Sequence, residues 1–221
     1  MRTGVTLLCA AAMVFGAGPP SAAMLRFTAT TDNVAGAPDS IRIDLLRWST
    51  DMEREQLVSA WNMTGGPAVS GRGSGRGRGG RGGRGAAAST EASNAPTPEG
   101  TLAGALKQVP TVGYLWSSEV AGYAIRYAGK VPGANGVDRI MLITDRRLGR
   151  TNDLWKPVSG TPSAYDFSVI ELRVNAKGEG EGRISLVGKV ALDNAAKIVA
   201  PEDYNALPVV LKNLKRRTEN L

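Results

Sequence analysis

Between residues 40 and 48 the chain alternates, with Ile41, Ile43 and Leu45 on one side and Arg42 and Asp44 on the other. That is the period of a strand with one buried face. Residues 25–31 alternate in the same way and are rich in β-prone side chains. The pattern then changes. Thr50 with Glu53 three residues later is a capping box, and Leu57, Val58 and Trp61 follow at helical spacing. A second helix start is written at Thr97-Pro98-Glu99, with proline at the first helical position. Leu102, Leu106 and Val109 supply its apolar stripe, and Pro110 ends it. The two helices read as a hairpin.

After Pro110 the strand period returns. Residues 111–117, 123–131, 137–144, 165–174, 179–192 and 209–214 each read as a strand. Turn residues separate them, notably Asn175-Ala176-Lys177-Gly178, with glycine where a positive φ is wanted. Glu179 and Glu181 alternate with Gly178, Gly180 and Gly182. This predicts a closely packed strand with a solvated acidic face. The predicted class is α+β, mostly β: an antiparallel sheet, as a sandwich or partial barrel, with an N-terminal helical hairpin interrupted by an insert.

Composition sharpens this picture at two places. Residues 1–23 combine Arg2, an apolar run over 5–15 and Ser21-Ala22-Ala23, the layout of a signal peptide. The run is shorter than the roughly 20 residues a membrane-spanning helix needs. The expected product is one exported domain, periplasmic or secreted, over 24–221. Residues 65–97 form the second exception, a Gly/Arg-rich, low-complexity insert with nothing apolar to bury, expected to be disordered. It contains Arg72, Arg76, Arg78, Arg81 and Arg84. Those five carry most of the formal net charge of +7, so the remainder of the chain is nearly neutral. The basic character belongs to a loop, not to a folded face.

The chain has no histidine, and its one cysteine, Cys9, lies in the leader. This removes the usual nucleophiles, bases and transition-metal ligands. No catalytic motif, metal site or cofactor fingerprint is present; glycine windows within the insert match the dinucleotide pattern only through glycine content. The expectation is therefore no catalytic residues, no metal and no cofactor. Three clusters could carry binding or acid–base chemistry: Tyr114 to Tyr127, Asp145-Arg146-Arg147 leading to Trp155, and Tyr165, Asp166 and Glu171. If their loops meet, Trp116, Glu119, Tyr123, Arg126, Arg147 and Trp155 form a ligand pocket suited to a sugar-like or anionic molecule. An alternative is a hydrolase using Glu119 with Asp145 or Asp166 as paired carboxylates on a glycoside. A third reading is polyanion binding through the five loop arginines.

The segments SIRIDLLRWST (40–50), TVGYLWSSEVAGYAIRY (111–127), TDRRLG (144–149) and YDFSVIELRVNAKGEGEGRISLVG (165–188) resemble an uncharacterised family of small exported bacterial proteins. The resemblance implies export and no particular activity. The Gly/Arg insert departs from its pattern. The reading that follows is a non-enzymatic domain that binds a ligand or protein partner, without a membrane span.

The loop arginines generate a direct test. Weak, sequence-independent binding to heparin or single-stranded DNA is expected, with a log–log salt slope of about −3 to −4 for five contacts at ~0.7 each. Replacing the five arginines by serine should abolish it. Salt-resistant binding that survives the replacement would contradict this reading.

Overall fold

The computed structural model describes residues 23–32, 34–35, 40–65, 97–117, 122–150, 155–157, 165–186, 190–194, 196–201 and 209–220. Residues 1–22, the bulk of the insert over 66–96, and Glu119 lie outside the described residues.

The strands are β1 (Ala23–Asp32), β2 (Val34–Ala35), β3 (Ser40–Leu45), β4 (Gly113–Trp116), β5 (Gly122–Pro132), β6 (Asp138–Thr144), β7 (Lys156–Pro157), β8 (Val169–Val174), β9 (Glu179–Ile184), β10 (Val190–Asp193), β11 (Ile198–Pro201) and β12 (Val209–Asn220). The helices are α1 (Asp51–Gly65) and α2 (Pro98–Leu106). Eight antiparallel strands close into a barrel in the order β1-β12-β9-β8-β6-β5-β4-β3. Closure rests on β1, which pairs β3 on one side and β12 on the other. Of the two sheet forms expected, sandwich or partial barrel, the barrel is found, and it is complete.

Eight strands enclose a space that side chains just fill. Phe27, Ile41, Ile43, Leu115, Ile125, Ile140, Leu142, Ile170, Leu172, Ile184 and Leu211 fill it here, each at most 2 % exposed. A second apolar cluster lies on the outside of the wall. Met141 and Ile143 of β6 and Val169 of β8 point outward and meet Leu57 of α1, Leu102 and Leu106 of α2, and Ile198 and Val199 of β11. The strand β6 is therefore buried on both faces, which explains its unbroken run Ile140-Met141-Leu142-Ile143. The helices α1 and α2 pack against each other. Both expected caps form. Thr50 N donates to Glu53 Oε2 (2.8 Å) and Glu53 N to Thr50 Oγ1 (3.2 Å). Gly100 N donates to Thr97 Oγ1 (3.1 Å). Among the described residues no helix is long and apolar enough to cross a membrane.

Two strand expectations need correction. The predicted strand 179–192 is two elements: β9 ends at Ile184, and β10 pairs with β11 outside the barrel. The apolar alternation of 209–214 marks only the first half of β12. Its second half is highly charged yet stays paired to β1 as far as Asn220, because backbone pairing does not need an apolar face. The glycines of β9 act as expected. A side chain on Gly182 would strike Leu172 Cδ2 at 2.7 Å and Leu211 Cδ1 at 3.1 Å.

Ionic contacts fasten the outer layer. Glu171 is 1 % exposed. It accepts from Arg139 Nη2 (3.1 Å) and Arg173 Nε (2.8 Å). Arg139 also reaches Asp193 on β10, so one guanidinium joins the barrel wall to the hairpin. Burial opposes its charge, but the hydrogen bonds to Glu171 and Asp193 outweigh burial and raise its pKa. On the opposite wall, buried Asp44 accepts from Arg26 Nε (2.7 Å) and Arg42 Nε (3.1 Å), and Arg42 lies over the Trp116 ring.

Candidate ligand cleft

The residues expected to form one pocket are divided between the two faces of the wall. Strand alternation sends Tyr123 into the barrel interior, where Trp155 and Leu148 also pack. Arg146 stacks on the Tyr123 ring, 4.8 Å from its centroid, and donates to Gly122 O (2.7 Å). The loop after β6 is thus brought onto the turn side of β5, as the pocket required. Trp116, however, stands on the outer surface beside Tyr114 and Arg42. Arg126 is also outside. It donates to Val109 O (3.0 Å) and lies 3.7 Å from Asp145 Oδ2. Arg147 is half-buried, and its carbonyl accepts from Arg150 N. Asp166 is paired with Arg150. Glu119 and the loop arginines Arg72, Arg76, Arg78, Arg81 and Arg84 lie outside the described residues. The structure therefore joins Tyr123 and Trp155 in one core and leaves Trp116 and Arg126 out of it.

A different cavity opens where the outer layer meets the wall. A cleft of about 270 Å³ lies between the segment entering α1, the far half of β5 and the β10–β11 hairpin. Its floor depends on a bulge in β5 between Ile125 and Tyr127. An unbroken alternation from Tyr123 would bury Tyr127 in the barrel. The extra residue reverses the face, so Tyr127 and Gly129 lie outside and Ala128 inside. A methyl built on Gly129 would overlap the Tyr127 hydroxyl and ring. Glycine at 129 is therefore what lets the ring lie flat along the strand. Ser49 fastens the other wall: its N donates to Ala128 O (2.9 Å), and its Oγ accepts from Ala128 N (3.0 Å).

Tyr127 is 4 % exposed. Its hydroxyl lines the cleft and makes no hydrogen bond among the described residues. Burial raises its pKa, Arg54 lowers it, and Asp51 raises it by less than Arg54 lowers it. Two cations share the lining. Arg54 Nη1 lies 2.9 Å from Asp51, a side chain 84 % exposed. Lys130 holds Asp138 (3.0 Å) at the rim. Trp48, Val131 and Ile198 make the apolar part.

None of Tyr127, Arg54, Lys130 or Ser49 belongs to the pocket expected from sequence. The available signal was small: Tyr127 and Gly129 form a Tyr-x-Gly step in a strand. Reading it needed the bulge, which no residue pattern announces. Among the described residues no group of three or more acids is placed to hold a metal ion. No family model, curated protein or solved structure matches this chain.

The position of α1 against the cleft depends on its cap. Glu53 is held by Arg47, whose Nη2 donates to Oε1 (2.7 Å), and by Thr50. The Arg47 hydrogen bond chiefly lowers its pKa, from 4.5 to about 2. A carboxylate with a depressed folded pKa stabilises fully above its unfolded value and loses that contribution as pH falls. The stabilisation should therefore be complete above pH 4.5 and fade toward pH 2. Arg47 is partly exposed, so the effect should be about 1 kcal/mol. Denaturant unfolding at pH 5 and pH 2 should show a smaller acid loss in Glu53→Gln than in the parent chain. Equal losses would contradict this role.

Proposed function

We propose that this chain is an exported, non-enzymatic binding domain, and that it takes a small ligand in the cleft between α1, β5 and the β10–β11 hairpin. The observation that carries the reading is the cleft itself, where the Tyr127 hydroxyl and the Arg54 guanidinium stand beside the apolar surface of Trp48, Val131 and Ile198. A concave site that sets a few polar donors against an apolar surface is the usual form of a small-molecule pocket. The filled barrel interior supports a ligand on the outside of the wall.

In this reading residues 1–23 direct export to the periplasm or beyond. Residues 65–97 connect the two helices as a Gly/Arg-rich loop, completing the helical hairpin. Membership of a family of small exported bacterial proteins belongs to the same proposal. Against the hydrolase alternative stands the pairing of Asp166 with Arg150. Such pairs are the usual arrangement of structural carboxylates.

A thermal-shift screen of small polar compounds on the exported protein tests the proposal. At least one class should raise the melting temperature without being converted. Filling the cleft by Ala196→Phe should remove that shift. A shift that persists in this variant would place the ligand elsewhere. Hydrolysis of a glycoside panel that disappears in Asp145→Asn would establish the hydrolase instead.

A further inference from the structure

We infer that the cleft ligand is a small organic carboxylate with an apolar body, its carboxylate received by Tyr127 and Arg54 and its body laid toward Trp48, Val131 and Ile198. This rests on the binding-domain reading above and names the chemistry of its ligand. Three observations carry it. First, Tyr127 lines the cleft, and its hydroxyl is a donor without an acceptor among the described residues. Second, Arg54 Nη1 lies 2.9 Å from Asp51, no hydrogen bond from its guanidinium is made among the described residues, and Asp51 turns mostly to solvent. The rest of the guanidinium fork is open for the paired hydrogen bonds that a carboxylate accepts. Third, the lining is not uniformly polar. Trp48, Val131, Ala196 and Ile198 give one side an apolar surface, which a bare inorganic anion would leave unused.

The field inside the cleft agrees with an anion. Burial raises the Tyr127 pKa overall, while of the two nearby charges Arg54 outweighs Asp51. Lys130 adds a second cation at the rim; Asp138, its partner, does not line the cleft. At the start of α1 the Thr50–Glu53 box occupies the N–H groups of Thr50 and Glu53. The proposed recognition depends on side chains. At about 270 Å³ the cleft has room for a ring-sized acid.

Benzoate and its neutral counterpart benzamide separate the charge from the shape, and inorganic phosphate separates the charge from the apolar body. Each is titrated into the exported protein and followed by amide chemical shifts. Benzoate should bind with an affinity near millimolar, as expected for a ligand of its size, and shift Gly129, Lys130, Ala196 and Ile198. Benzamide and phosphate should each bind at least tenfold more weakly. Tyr127→Phe removes only the hydroxyl and should weaken benzoate about five- to tenfold, and Arg54→Met should weaken it further. Benzamide equal to benzoate would overturn the carboxylate assignment. Phosphate equal to benzoate would overturn the apolar body. An unchanged affinity in Tyr127→Phe would remove the hydroxyl from the site. If benzoate fails while another compound in the thermal-shift screen is lost on Ala196→Phe, the carboxylate inference falls and the cleft stands. If no compound responds to that variant, the binding-domain reading falls with it.

Discussion

The double burial of β6 is the constraint on which the other features depend. A barrel wall normally shows one face to its core and one to water. Here Ile140 and Leu142 fill the interior, while Met141 and Ile143 require cover outside. Burying a side chain of this size is worth about 1.5–3 kcal/mol relative to exposure. Leaving that face wet would forfeit a large part of a typical net stability. The helices α1 and α2 and the β10–β11 hairpin supply the cover. The far wall has no such need, and it carries Arg26, Arg42 and Asp44 in contact with one another instead.

The cleft is a consequence of how that cover ends. The outer layer meets β5 past the bulge at Ile125–Tyr127. Gly129 lets Tyr127 lie along the strand, and the hairpin closes over it through Ala196 and Ile198. Arg139 ties that hairpin to Glu171 on the wall. Packing, bulge and ion pair together leave a small space lined by a tyrosine hydroxyl, a partly committed guanidinium and an apolar side. The arrangement suits recognition, since its donors are fixed by packing before any ligand arrives.

Much of the fold could be read from local pattern. Alternation at Ile41, Ile43 and Leu45 identified β3, and the Thr50–Glu53 and Thr97–Pro98 signals located both helix starts. Closure of the barrel was not legible, because the pairing of β1 with β12 joins residues almost 200 positions apart. Nor was the end of β12, where Lys215, Arg216 and Arg217 break the apolar alternation while the backbone stays paired. The site was less legible still. Aromatic and charged residues close in sequence suggested a single pocket, but alternation sends Tyr123 inward and Trp116 outward. The residues that do share a cleft come from 48–54, 127–131 and 196–198, segments that only the outer layer brings together.

Paired truncations on β6 test the central claim most directly. Leu142 faces the interior and Met141 faces the outer layer, and both are fully buried. Urea unfolding of Leu142→Ala and Met141→Ala should show each losing about 2–5 kcal/mol, the cost of a cavity in a packed core. A Met141→Ala variant within about 0.5 kcal/mol of the parent would be behaving as a surface position. That result would contradict a covered outer face, and with it the layer that forms the cleft.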